Sequence, residues 1–449
     1  MSKRNFILLI IILFIAVVVI LGFFYFQKGP TSGGEGNEGT NFISRFNPFG
    51  NKKPTIPPPV TPPTDVSGYQ PSSPTEEIKL KLKKVSSMPI AGFTVFSKER
   101  LKEVVGVTPN PTLALPLTGE GKNSKTTKPT PPLTEFMPAL RYVDKATGNI
   151  YQTFTDKIEE RRFSTTTIPK IYEAYFGAKA ESVVMRYLKE DGRTIQTFIG
   201  NLPKEYLGAD ATPDNEIKGS FLPEGIKDLS LSSDSLSIFY LFNVGDNIVG
   251  TTLNLSNNKK MQIFDSPFVE WLSFWPNNKM ITLTTKPASG ISGYMYGIDT
   301  NSKNLSKILG GINGLTTLTG PNGRLVLYGN DNLSLNVYHA DTKISEPLGV
   351  KTLPEKCVWS KAGEAVYCAV PKMIDFGSYP DAWYQGEISF SDQFWKVDIK
   401  TGNATIILDP ATEVEGEEID GTKLALEEKE NYLFFVNKKD SFLWELKLK

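Results

Sequence analysis

The chain has 449 residues with 49 Lys and Arg against 49 Asp and Glu, so its formal charge is zero and it lacks the basic surplus of a nucleic-acid reader. A single histidine, His339, excludes zinc sites built on several imidazoles and leaves one candidate base for a Ser-His-Asp arrangement. The 40% hydrophobic content supports a large core, while 31 Pro and 37 Gly assign much of the chain to turns and linkers.

Residues 1–5 read as a cytoplasmic tip and Phe6 to Phe26 as a transmembrane helix. The 21 uncharged residues of that run are enough to cross about 30 Å of hydrocarbon at 1.5 Å per residue. Lys3 and Arg4 precede the run, which places the amino end in the cytoplasm and the remainder outside. A cleaved secretory signal is the competing reading, but the run is long for one and no small-x-small site follows it. Residues 27–77 are rich in Gly, Ser, Thr and Pro, with GPTSGGEGNEGT followed by PTIPPPVTPPT, and read as a disordered stalk. A GxGxxG match at Gly34, Gly36 and Gly39 falls inside this stalk with no strand before it and no helix after it, so it implies no nucleotide.

The remainder, 78–449, reads as one all-β domain. Short β-branched and aromatic runs end in turn residues, as in IKDLSLSSDSLSIFYLF, VEWLSFWPNNKMITLTT and INGLTTLTGPNGRLVLYG. Turn centres fall near Lys179, Ser233, Asn277, Asn322, Ala362 and Lys429, and the middle ones are about 40 to 45 residues apart, the length of a four-stranded propeller blade. A second hairpin recurs after the first, as in RYVDKATGNIYQTF, MRYLKEDGRTIQTF, MYGIDTNSKNLSKIL and WKVDIKTGNATIILD. Seven units start at about residues 90, 168, 226, 270, 313, 356 and 421, which predicts a seven-bladed β-propeller. The last unit supplies only three strands. Residues 78–84 (IKLKLKK) alternate in the manner of a half-exposed edge strand, and Phe442, Trp444, Leu446 and Leu448 alternate likewise, so the two ends of the domain are expected to pair and close the ring. Residues from about 108 to 138 read as a disordered insertion in the first blade.

The GPNG-type inner turns and the D-x-x-TGN-type outer hairpins resemble those of TolB-like and WD-repeat β-propellers. The whole layout resembles bacterial single-pass membrane proteins with an outward propeller. That resemblance implies a binding or scaffold role toward a protein or envelope polymer, with no cofactor.

Candidate sites are few. A hairpin centred between Ala362 and Gly363 sets Cys357 opposite Cys368, so the two either form a disulfide or are two small buried hydrophobes. Lys372 to Asp392 is longer than a hairpin needs and interleaves Phe376, Tyr379, Trp383, Tyr384 and Phe390 with acidic residues. It reads either as an Ω-loop packing its own rings or as a recognition surface using Asp381, Trp383, Tyr384 and Glu387. The acidic run Glu413 to Asp420 reads as a solvated loop. His339 reads as a surface residue beside an outer turn. Ser256-Asn-Asn-Lys259 and Lys400-Thr401-Gly402 match SxxK and KTG but sit in predicted hairpin turns, where the serine cannot begin a helix. A binding role is favoured over chemistry. The alternative is a glycan-active or peptide-active enzyme with carboxylates at the propeller channel.

Overall fold

The computed structural model describes residues 80–102, 133–205, 215–414 and 417–449, which belong to one unit spanning Glu77–Lys449. Its strands form seven four-stranded antiparallel sheets. The innermost strands are Ile90–Leu101, Ile171–Gly177, Ile226–Leu231, Trp271–Asn277, Thr316–Thr319, Cys357–Trp359 and Gly421–Leu426, each starting within three residues of the start expected from the sequence. Each blade contacts the next, and the innermost strand of blade seven contacts that of blade one, so the sheets form a closed ring. Seven apolar clusters fill the seven junctions between blades. Burial on both faces explains why second strands such as Ala365–Pro371 (AVYCAVP) are apolar throughout.

Closure joins the two ends of the domain. Leu82–Lys84 is the outermost strand of blade seven and pairs antiparallel with Leu443–Lys447, with Leu82 opposite Leu446 and Lys84 opposite Trp444. Leu82, Val85 and Ser86 are buried there, and Leu443 N donates to Ser86 Oγ at 2.9 Å. Lys84 lays its ammonium over the Phe442 and Trp444 rings, covering them where the edge strand ends.

A shared turn explains the recurring outer hairpin. In the turns starting at Asp144, Asn254, Asp299, His339, Asp398 and Asn437, the fifth residue has positive φ and its N–H bonds back to the first residue's carbonyl at 2.7–2.9 Å. Gly148 and Gly402 fill that left-handed position at no steric cost, which accounts for the TGN signature. In blades three to six the second hairpin joins the third and fourth strands. MRYLKEDGRTIQTF instead joins the second and third strands of blade two, Ser182–Leu188 and Ile195–Asn201, and RYVDKATGNIYQTF does the same in blade one. The fourth strand of blade two, Lys218–Phe221, therefore follows a longer connection through Glu205.

The expected insertion from about 108 to 138 is shorter than its composition indicates. Thr134–Pro138 belongs to the second strand of blade one and pairs with Ser97–Leu101. Its prolines and threonines hid an alternation that tolerates Pro138, whose carbonyl still accepts from Thr155 N. The rest of that insertion, together with the expected anchor at 6–26 and stalk at 27–77, lies outside the described residues. Among the described residues no helix is long and apolar enough to cross a membrane.

Strands alternate in direction, so the two ends of the ring differ. One end, the connection face, carries the blade-to-blade links and the turns between second and third strands. The other, the hairpin face, carries the turns between first and second and between third and fourth strands.

Candidate functional site

At the connection face the innermost strands of blades one, two, three and seven break their ladders near their first residues. The register shifts between Ile90 and Gly92, Ile171 and Glu173, Ile226 and Asp228, and Thr422 and Ala425. Each shift leaves one or two residues outside the pairing, and such bulges re-aim side chains next to functional sites. Here the released residues include Tyr172, Lys227 and Lys423, all exposed. Gly92 lets blades one and two approach, since a Cβ there would lie 2.0 Å from the Ala174 carbonyl oxygen.

Two carboxylates follow these bulges. Glu173 Oε2 accepts from Arg186 Nη1 and its Oε1 from Tyr175 OH, both at 2.6 Å. Arg186 is buried, spans to the Ile226 carbonyl at 2.8 Å and stacks on Tyr172 at 5.2 Å. Asp228 Oδ2 accepts from both the N–H and the hydroxyl of Ser273 at 2.6 Å, tying blade three to blade four. Burial pushes the Asp228 carboxyl above its usual range. The Ser273 hydrogen bonds oppose that rise and the charge of Glu173 adds to it. These strand starts thus carry polar side chains of both signs, and their carboxylates are fixed by the protein's own donors.

The predicted recognition residues stand on the same face, in the insertion after the second strand of blade six. One helical turn, Asp381–Tyr384, presents three of them, and Glu387 follows it. Trp383 is only 5% exposed and packs with Tyr379, Phe390, Leu333 and Leu353. Its ring stacks on Phe390 at 6.4 Å and its Nε1 donates to Asp420 Oδ2 at 3.0 Å. The indole is therefore occupied by packing and is not offered to solvent. Tyr384 is half-exposed and donates to Glu355, Asp381 accepts from Ser289 N of blade four at 2.6 Å, and Glu387 is exposed. The aromatic ring that stands free is Phe376, beside exposed Met373 and Ile374.

Beneath the insertion lies a polar node that the sequence did not announce. Lys356 is fully buried, and its ammonium donates to Asp392 Oδ2 at 2.8 Å and to Asp420 Oδ1. Asp420 also accepts from Ser389 Oγ and Phe390 N at 3.0 Å, and Asp392 from Gly421 N at 2.7 Å. Burial pushes the Asp392 carboxyl up to about 6, against the pull of Lys356. For Asp420 burial acts in the same sense, but Lys356 and the surrounding donors hold its carboxyl below the usual range. The reading of the 413–420 run as a solvated loop thus fails at its end, because Asp420 precedes an innermost strand and is drawn inward to meet Lys356.

Cys357 pairs with Cys368 in the ladder, and a disulfide links them, both residues being buried. His339 lies on the third strand of blade five, 3.7 Å from Glu346 across the outer hairpin. Glu173 and Asp228 were missed because each occupies an ordinary strand position in sequence. The available signal was a carboxylate at the third position of an innermost strand in two successive units.

No family model matches the chain, and no curated protein matches it. Among solved structures it is similar to TolB from Acinetobacter baumannii, at 12% identity over 68% of this chain and 60% of that one, with a TM-score of 0.37. It is also similar to oligogalacturonate lyase from Vibrio parahaemolyticus, at 7% identity over 70% of this chain and 86% of that one, TM-score 0.48. An oligogalacturonate lyase in complex with manganese gives 10% identity, 69% and 85% coverage and a TM-score of 0.43. The chain spans 60% of the TolB chain's length.

Proposed function

We propose that this chain is a membrane-anchored, extracytoplasmic β-propeller that acts as a binding or scaffold module for a protein or polymer of the envelope. The observation that carries the binding role is the state of the two carboxylates near the starts of the innermost strands of blades two and three. Glu173 is engaged by Arg186 and Tyr175 and Asp228 by Ser273, so both support fixed donors and rings and neither stands free as an acid or base. The uncharged run at 6–26 behind Lys3 and Arg4 supports an anchor with the propeller outside, and the Cys357–Cys368 bond suits an oxidising compartment.

A second reading is favoured by one observation. Burial, with the charge of Glu173 adding to it, holds the Asp228 carboxyl above its usual range, and a carboxyl raised in this way is what a general acid requires.

Three experiments test the proposal. Protease added to intact cells should remove the propeller, and non-reducing peptide mapping of natively exported protein should find Cys357 linked to Cys368. Protection of the chain until lysis, or two free thiols, overturns the location. For the role, the full chain is offered labelled envelope glycans and peptides. Stoichiometric retention without cleavage is expected, whereas turnover abolished by Glu173→Gln or Asp228→Asn overturns binding in favour of catalysis.

A further inference from the structure

A second polar site lies on the hairpin face, between blades one and two, and is independent of the Glu173 and Asp228 carboxylates. Each of the four strands of blade one contributes a side chain to it: Lys98 from the first, Arg141 from the second, Gln152 from the third and Arg161 from the fourth. Arg141, Gln152 and Arg161 are directly opposed across the sheet, so they form one row on the side that faces blade two. Blade two supplies a single carboxylate to this row, that of Glu205, from the connection between its third and fourth strands.

The four groups grip both oxygens. Glu205 Oε2 accepts from Lys98 and, at 3.1 Å, from Arg141 Nη2, while Oε1 accepts from Arg161 and lies 3.5 Å from Gln152 Nε2. Arg141 is pre-positioned: its guanidinium stacks on Phe163 at 4.0 Å and Phe96 at 4.9 Å, and its Nε donates to Gln152 at 2.8 Å. Burial pushes Arg141 down to about 10, with Glu205 opposing and the neighbouring Arg161 adding to the fall. Burial also acts against the Glu205 carboxylate, yet Lys98, Arg161 and Arg141 hold it below the usual range.

Three cations around one carboxylate are more than an inter-blade ion pair requires. Other acids nearby are committed elsewhere: Glu160 accepts from Tyr142 and Ser87, and Glu159 pairs with Lys157. Glu181 acts on Arg141 only through its charge. The cations sit on strands of one sheet, whereas the carboxylate sits on a connection. The fixed part of the arrangement is thus a receptor for a planar, two-oxygen anion, and the replaceable part is the anion.

We propose that blade one carries a binding site for a carboxylate-bearing ligand, which the Glu205 side chain occupies in this conformation and which an external carboxylate enters by displacing it. The internal occupant lowers apparent affinity by the fraction of molecules in which Glu205 is seated. It thereby makes the site selective for ligands with contacts beyond the carboxylate.

The test uses the full chain and its Glu205→Ala variant with sodium acetate, against sodium chloride at matched ionic strength, read by calorimetric titration and melting temperature. Glu205→Ala should bind acetate saturably and at least tenfold more tightly than wild type, recovering most of its lost melting temperature. Chloride should not do so. Arg161→Gln in the Glu205→Ala background should abolish the acetate effect without unfolding the chain, because Arg161 is 38% exposed. N-acetylglycine and glucuronate then separate a peptide carboxylate from that of an acidic sugar, and displacement by either in wild type is the expected result. Equal responses to acetate and chloride, or acetate binding that survives Arg161→Gln, would reduce Glu205 to an inter-blade staple and overturn the proposal.

Discussion

The polar cluster between blades six and seven and the one between blades one and two are built from the same residue types in opposite proportions. The first sets one cation, Lys356, between two carboxylates at zero exposure and seals it with Trp383 and Phe390 rings at 5.3 Å. The second sets three cations around one carboxylate, with Lys98 17% and Arg161 38% exposed. In the sealed cluster most of the excess negative charge is absorbed by Trp383, Ser389 and backbone N–H donors, and the one oxygen left without a partner, Asp392 Oδ1, is buried where no ligand reaches it. In the open cluster Arg141 is met by Gln152, the Ala180 carbonyl and the Phe96 and Phe163 rings, but Lys98 and Arg161 share the one Glu205 carboxylate at partly exposed positions. Charge balance and sealing together separate a structural staple from a receptor, and neither property alone does so.

Breaking the sealed cluster should give the largest effect. Lys356→Met leaves two buried carboxylates without their cation and should cost about 3–5 kcal/mol in chemical denaturation of the full chain. Adding Asp392→Asn and Asp420→Asn should recover much of that loss. If the triple variant is no more stable than the single one, the cluster is held by packing rather than charge.

Next in size is the lid over the same cluster. Trp383→Ala removes an indole that both fills the apolar pocket and donates to Asp420, and should cost about 3 kcal/mol. Tyr384→Ala, at a half-exposed ring, should cost under about 1 kcal/mol. Equal costs for the two, or loss of envelope binding with unchanged stability in Trp383→Ala, would return the indole to a recognition role.

Glu445 is the intermediate case, a buried carboxylate with no cation in contact among the described residues. It lies opposite Lys83 in the closing strand pair, and burial pushes its carboxyl up to about 7 against the weaker pull of Lys83. A carboxyl raised on folding contributes stability that is present below about pH 4 and lost as pH rises through 7. Glu445→Gln should therefore be more stable than wild type by about 1–3 kcal/mol at pH 8 and equal to it near pH 4. A difference that is constant over that range would show that the amide acts by packing.

Much of the ring was legible because a blade is a local object. Inner turns recur at blade spacing, the outer turn needs a left-handed fifth residue, and burial makes second strands uniformly apolar, so seven starts and the closing edge strand could be read from the chain. Cys357 and Cys368 were legible for the same reason, being equidistant from one turn. Lys356 with Asp420, and Arg141 with Glu205, are 64 residues apart in each case and meet only across a junction between blades. Nothing in local periodicity marks such a pair, and a lysine or glutamate at such a position reads as solvated until its partner is known. The exchange of connections in blade two hid Glu205 further, since a hairpin assigned to the outer strands in fact joins the middle ones.

The smallest expected effect is the sharpest test of the contrast. Arg161→Gln removes one of three cations from the open cluster, so the lost attraction to Glu205 is offset by relief of repulsion from Lys98 and Arg141. Arg161 is also partly solvated, which weakens both terms. The net change should lie within about 1 kcal/mol of zero, far below that of Lys356→Met. Salt separates the clusters a second way. Added sodium chloride screens like charges at an accessible site but reaches a sealed one poorly, so the wild-type chain should gain stability from salt at the open cluster, and Arg161→Gln should gain less. The cost of Lys356→Met should be the same at 0.05 and 0.5 M, to within about 0.5 kcal/mol. A large, salt-insensitive loss in Arg161→Gln would mean that the open cluster is as sealed as the other, and the distinction between staple and receptor would fail.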